Sequence, residues 1–173
     1  NILGIVGLGA IGKLVAQMAI NGFNMKVKYY DVNRQENWEK EYNIEFEPDF
    51  DNLLKTCDIL TLHVPLNDHT KHMINAEKLA LMKPTSYLIN TCRGAVVDEQ
   101  ALIETLKNHN IKGACLDVYE HEPNLSPGLT DLQNVILTPH TAAASLEART
   151  KMSEMAVRNV LQALSGQTPE NLI

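Results

Sequence analysis

The sequence predicts an α/β protein, a doubly wound parallel sheet with helices on both faces in three αβα layers. Three observations lead there. Short apolar runs alternate with helical patterns along the 173 residues. The first run ends in the glycine-rich turn Gly7-x-Gly9-x-x-Gly12, which opens a helical pattern. An acid, Asp31, closes the second run 19 residues beyond Gly12. Alternation on this scale, unbroken by repeats or low-complexity tracts, implies parallel strands joined by helical crossovers.

The elements follow in order. NILGIVG reads as a strand, and AIGKLVAQMAING as a helix stopped at Gly22. MKVKYYD is the second strand. A helix over about 35–42 and a short strand over about 44–46 follow in a less regular stretch. DFDNLLKTC is a helix opened by Asp49 or Asp51, and DILTLHVP a buried strand closed by Pro65. INAEKLALMKP reads as helix, SYLINT as strand, DEQALIETLKNHN as a helix capped by Asp98, and IKGACLDVY as strand. NVILTPH is the last strand, and one long helix runs from Ser145 to about Ser165. No internal boundary is visible, so 1–173 reads as one domain.

Composition excludes several functions. A net charge of −6 argues against a general binder of nucleic-acid phosphates. No apolar run approaches the length of about 18 residues that a membrane span needs, and no signal pattern opens the chain. Three cysteines without C-x-x-C spacing, Cys57, Cys92 and Cys115, fit reduced thiols in a cytoplasm.

The glycine turn carries the first functional expectation. Gly7 permits the tight turn, Gly9 lets backbone approach a pyrophosphate, and Gly12 lets helix and strand pack closely. The helix start, with Ala10 and Ile11 between Gly9 and Gly12, offers N–H groups to phosphates. Strand, helix and downstream acid together make this a Rossmann-type dinucleotide site. Asp31 accepts hydrogen bonds from the adenosine ribose and repels a 2′-phosphate, favouring NAD over NADP, while nearby Arg34 softens that preference.

Chemistry must come from strand ends in the second half: Arg93 after LINTC, Asp117 and Glu122 in LDVYEHEP, and His140 after VILTP. In a parallel sheet the carboxyl ends of strands line one crevice, so these groups converge above a bound cofactor. The set suffices for hydride transfer to a 2-keto acid. Arg93 forks the substrate carboxylate, His140 exchanges a proton with the carbonyl oxygen, and Glu122 orients and charges His140.

GIVGLGAIG, HVPLNDHT, LINTCRGAVVDEQAL, GACLDVYEHEP and ILTPHTAAAS, in this order, resemble the NAD-binding domain of the D-isomer-specific 2-hydroxyacid dehydrogenases. Within that family the likeness points first to phosphoglycerate dehydrogenases, with the related hydroxypyruvate or glyoxylate reductases as the alternative. The resemblance implies Arg93, Glu122 and His140 as catalytic groups and Asp117 as a contact of the nicotinamide carboxamide. It also implies that His63, Val64, Pro65 and Thr70 lie on the adenosine side, with Thr91 and Cys92 completing the cofactor site. Ala10 stands where the family commonly has a basic residue, so one phosphate contact is absent. Family members add a substrate-binding domain built from chain before the first strand and after the long helix. The expectation is therefore an excised cofactor domain that binds NAD(H) without turnover, from a parent homodimer acting on a small 2-hydroxy or 2-keto acid. The rival is a non-catalytic NAD(H)-sensing module like the corepressor relatives of this fold.

Other residues read as bystanders. His69 and His72 lack a third metal ligand and fit a solvated loop. His109 belongs at a helix C-terminus, His121 is set aside in favour of His140, and Trp38 fits surface packing. Cys92 packs beside the nicotinamide site.

Overall fold

A computed structural model describes residues 1–172. It divides into two compact units, Asn1–Pro139 and one beginning at His140. The first unit contains β1 (Ile2–Val6), α1 (Ala10–Phe23), β2 (Lys26–Tyr30), α2 (Glu36–Tyr42), β3 (Glu45–Phe46), α3 (Phe50–Thr56) and β4 (Ile59–Leu62). It continues with α4 (Ala76–Leu79), β5 (Tyr87–Asn90), a 3-10 turn (Gly94–Val96), α5 (Glu99–Lys107), β6 (Gly113–Leu116) and β7 (Val135–Leu137). The strands form one sheet in the order β3-β2-β1-β4-β5-β6-β7, and every pairing is parallel. The order reverses direction at β1, where the chain moves from β3 across to β4, and such a switch point opens a crevice at the strand carboxyl ends.

Both faces of this sheet are covered, which is why its strands read as nearly continuous apolar runs. On one face Leu53 and Leu54 of α3, Leu79 of α4 and Leu102, Ile103 and Leu106 of α5 pack with Val6, Leu60, Leu62 and Leu88. On the other, Ala16 and Ala19 of α1 pack with Leu3, Ile5, Val27 and Tyr29. Successive side chains of β1 alternate between these faces, so Val6 and Ile5 serve different cores.

The helix ends follow local chemistry. Asp49, rather than Asp51, caps α3, its side chain accepting the Asp51 N–H at 2.9 Å. Asp98 caps α5 through the Ala101 N–H at 3.0 Å. Each such cap is worth about 1 kcal/mol. Helix α1 does not stop at Gly22 but runs to Phe23, because Asn24 adopts the left-handed conformation (φ 51°) and its N–H closes on Ile20 O at 3.1 Å. Asparagine is one of the few non-glycine residues that tolerate that region, because its short polar side chain bonds locally. The segment INAEKLALMKP forms only the four-residue α4. Turns follow it up to Pro84, whose ring disfavours helical backbone at the residue before it. In the second unit α6 (Leu146–Leu164) starts at Ser145, whose hydroxyl accepts the Ala148 N–H at 3.1 Å. Among the described residues no helix is long and apolar enough to cross a membrane.

Two consequences are measurable. A Cβ on Gly94 would lie 1.9 Å from the Tyr119 carbonyl carbon, so Gly94→Ala forces two backbone segments apart; urea denaturation is expected to register a loss of about 3 kcal/mol. Cys57 is fully buried, and burial pushes its thiol up to about 11. Since the thiolate is the nucleophile, iodoacetamide at pH 8 should leave Cys57 unlabelled in the native chain and label it in urea, as read by peptide mass spectrometry.

Candidate cofactor and substrate site

At the end of β1 the chain turns through Gly7 at φ 93°. The Gly7 N–H donates to Tyr30 O at 2.9 Å, and the Leu8 N–H donates to Asp31 Oδ2 at 2.7 Å. Asp31 Oδ1 accepts the Asn33 N–H at 2.8 Å. The acid at the end of β2 therefore ties down the glycine turn as well as facing the cleft. A Cβ on Gly12 would stand 2.1 Å from Gly7 O, so only glycine lets α1 approach this closely. A Cβ on Gly9 would meet nothing within 4 Å. That open side lies at the start of α1, where first-turn N–H groups such as those of Ala10 and Ile11 have no partner within the helix. No acid stands in that first turn to oppose an anion. The arrangement fits a dinucleotide pyrophosphate.

Two clefts flank the turn. One, of about 410 Å³, is lined by Gly7, Gly9, Asp31, Val64, Pro65 and Thr70, among others. The second, of about 400 Å³, shares His63, Val64 and Pro65 with it and adds Ile11, Thr91, Cys92 and Arg93. The two thus bring together the residues expected on the adenosine side and those expected near the nicotinamide. Thr70 folds its loop, donating from its hydroxyl to Pro65 O at 2.6 Å and accepting the Asn67 N–H at 2.9 Å. His63 Nε2 lies 3.0 Å from Thr61 Oγ1. Burial holds its imidazole below the ordinary histidine value, so the ring is neutral at neutral pH.

Past β5, Asn90 builds the turn that presents Arg93. Its buried amide accepts the Cys92 N–H at 3.1 Å and donates to Arg93 O at 2.9 Å. Arg93 itself is exposed, with Nη1 donating to Cys92 O at 2.6 Å. Burial raises the Cys92 thiol, which keeps it protonated and in character with packing. Asp117 is buried at the end of β6 and accepts the Thr138 hydroxyl at 2.5 Å. Glu122 is exposed, its Oε1 accepting the Tyr119 N–H at 2.9 Å. His140, at φ 51°, is the first residue of the second unit.

Several residues here escaped sequence reasoning. Arg34 does not stand free near the ribose: Glu39 forks it, with Nη2 to Oε2 at 2.8 Å and Nε to Oε1 at 3.0 Å. Glu39 lies on α2, and its Oε1 also accepts the Tyr29 hydroxyl at 2.8 Å. His72 is no solvated bystander; its Nε2 lies 2.6 Å from Glu120 Oε1. Glu99 is buried yet fully bonded, its Oε1 accepting the Glu120 N–H at 2.9 Å and its Oε2 the Ser126 hydroxyl. The one available signal was the density of acids in DEQ and YEHEP around the Arg93 turn. Trp38 stacks on Tyr42 with ring centroids 4.4 Å apart, in keeping with surface packing.

Comparison with known proteins identifies the family. The family described as D-isomer specific 2-hydroxyacid dehydrogenase, NAD binding domain, matches residues 1–142. A glyoxylate reductase of Thermofilum pendens is 48% identical over 176 residues, covering 99% of this chain and 50% of the relative. The crystal structure of D-lactate dehydrogenase with NAD+ from Lactobacillus jensenii superposes with a TM-score of 0.89 at 33% identity, covering 100% of this chain and 55% of that one. An NADPH-dependent glyoxylate/hydroxypyruvate reductase from Sinorhizobium meliloti, in complex with NADP and malonate, gives 0.89 at 34% identity over 95% of this chain and 50% of that one. The chain thus spans about half the length of the curated relatives it matches. With its glycine turn, Asp31 and the loops past β4 to β6 in the places such a cofactor requires, the chain belongs to the D-isomer specific 2-hydroxyacid dehydrogenases, as their NAD-binding domain.

Proposed function

We propose that this chain is the cofactor-binding half of a two-domain subunit, an NADH-linked reductase of glyoxylate and closely related small 2-keto acids. The observation that carries the reading is the placement of Arg93. An exposed guanidinium stands in the cleft that shares His63, Val64 and Pro65 with the pocket of the glycine turn and Asp31. A substrate carboxylate forked by Arg93 is thereby held beside the cofactor. Bound NADH supplies the hydride. His140 donates the proton that the carbonyl oxygen needs, and Glu122 orients and charges that imidazole. Between the substrate classes suggested by the motifs, relatives named glyoxylate reductase favour the smaller acid over phosphohydroxypyruvate. The fork of Glu39 on Arg34 removes the cation that would welcome a 2′-phosphate, which supports NAD. The same reading has the parent enzyme working as a homodimer in a reducing cytoplasm, in keeping with three free thiols.

The deciding assay is NADH oxidation by the two-domain parent against glyoxylate, hydroxypyruvate, pyruvate, 2-ketoglutarate and phosphohydroxypyruvate, with this chain as control. The expected result is strongest turnover of glyoxylate by the parent, and NADH binding without turnover by the chain. Tight NADH binding by a parent that reduces none of these acids would move the weight to a sensing module. In the parent, His140→Ala should lower kcat about a hundredfold or more, whereas Arg93→Ala should also raise KM for the acid. Equal, small effects would contradict both roles. Asp31→Ala should weaken NADH binding in a fluorescence titration while narrowing the gap to NADPH; an unchanged ratio would remove Asp31 from cofactor selection.

A further inference from the structure

Three loops at the carboxyl edge of the sheet carry the site, and each comes from a different crossover. The loop past β4 holds His63 to Thr70, the loop past β5 holds Thr91 to Arg93, and the loop past β6 holds Asp117 and Glu122. Loops on separate crossovers keep a fixed relation only where bonds cross between them. The first two are joined by backbone: His72 N–H to Ala95 O at 2.8 Å, Ile74 N–H to Val96 O at 3.1 Å, and Asp98 N–H to Ile74 O at 3.0 Å. The second and third meet where Gly94 lies against the Tyr119 carbonyl. One side chain reaches all three. Glu120 belongs to the loop past β6; its Oε1 takes His72 Nε2 at 2.6 Å and its Oε2 accepts the Glu99 N–H at 3.3 Å, just past the Arg93 turn.

Glu99 returns the bond. Its Oε1 accepts the Glu120 N–H at 2.9 Å, and its Oε2 takes the Ser126 hydroxyl farther along the same loop. This reciprocal clamp is two residues from Glu122, and Glu122 is held by the intervening turn through the Tyr119 N–H. The His72 side of the clamp is specified by backbone as well. His72 sits at φ 50°, a conformation that aims its ring but that most side chains avoid.

We propose that Glu120, paired with His72, is a positioning residue of the proposed dehydrogenase site. It holds the Glu122 loop in register with the Arg93 turn and the cofactor loop past β4, without touching substrate or cofactor. This rests on the reductase reading above. Proximity contributions depend steeply on placement, since a shift of about 1 Å costs on the order of 10²-fold in rate.

The test is steady-state kinetics of the two-domain parent with glyoxylate and NADH, with NADH titrations of each variant. Glu120→Ala is expected to lower kcat at least tenfold and raise KM for glyoxylate, with the NADH Kd within twofold of the wild type. Glu120→Gln should recover most of kcat, because its amide oxygen still accepts the Glu99 N–H and its amide nitrogen stands where Oε1 meets the His72 ring. His72→Asn tests the other end. Asparagine tolerates the left-handed backbone but is too short to reach Glu120, so kcat should fall in the same direction at unchanged NADH affinity. If Glu120→Ala does not fold, His72→Asn decides alone. A kcat and KM within twofold of the wild type in the folded variants overturns the inference while leaving the reductase reading intact. So does loss of NADH affinity in step with kcat, or failure of Glu120→Gln to rescue. A wild-type parent without turnover removes the reductase reading and this inference with it.

Discussion

Three stretches of backbone converge at Gly7, and the rest of the site depends on how closely they do so. A Cβ at Gly7 would stand 2.5 Å from His63 O, at the end of β4, and a Cβ at Gly12 would stand 2.1 Å from Gly7 O. The strand that starts the crevice, the strand across the switch point and the helix that faces phosphates are thus in backbone contact at one place. Asp31 completes the junction from the fourth side by accepting the Leu8 N–H. A carboxylate tied to a backbone N–H in this way keeps its position without a cationic partner, and it leaves lone pairs for the ribose. The same group therefore shapes the turn and faces the cleft, so loss of Asp31 leaves the Leu8 N–H unsatisfied.

Around this junction the sheet sorts chemistry by position along the strands. Apolar residues fill both cores below, while polar residues appear where strands end: Asp31 after β2, His63 after β4, Asn90 and Arg93 at and after β5, and Asp117 after β6. Because all strands run the same way, these ends share one edge of the sheet, which gathers groups from Asp31 to Asp117.

This logic explains what was legible in the sequence. Strand order of appearance, the glycine turn, Asp31, the cap at Asp98 and the long helix near Ser145 rest on local rules, and they stand where those rules place them. What escaped is non-local or conformational. The end of α1 turned on whether Gly22 or Asn24 took the left-handed conformation, and both residues allow it. INAEKLALMKP has helical spacing, but its leucines and methionine are also satisfied by one helical turn followed by tight turns into Pro84. The partners of His72 and Arg34 could not be read at all. The first lies 48 residues away and the second five, a spacing that does not place two side chains on one helical face.

Three glutamates in the corner past β6 show how one residue type is divided among tasks by burial alone. Glu99 is buried at the first turn of α5, where the helix dipole favours negative charge and two neutral donors satisfy its oxygens. Glu120 is half-buried and has both oxygens engaged, one by an imidazole and one by a backbone N–H. Glu122 is exposed on the same loop, and the Tyr119 N–H fixes one of its oxygens. The gradient runs from buried Glu99 through half-buried Glu120 to exposed Glu122. A loop carboxylate keeps its position only on a rigid base, and the two glutamates behind Glu122 supply one. Removing charge from the innermost acid disturbs the packing of the loop, whereas removing it from the outermost leaves the loop in place and alters the electrostatics that the crevice presents. The order of the three along this path, rather than the charge of any one, is what fastens the loop past β6 to the start of α5.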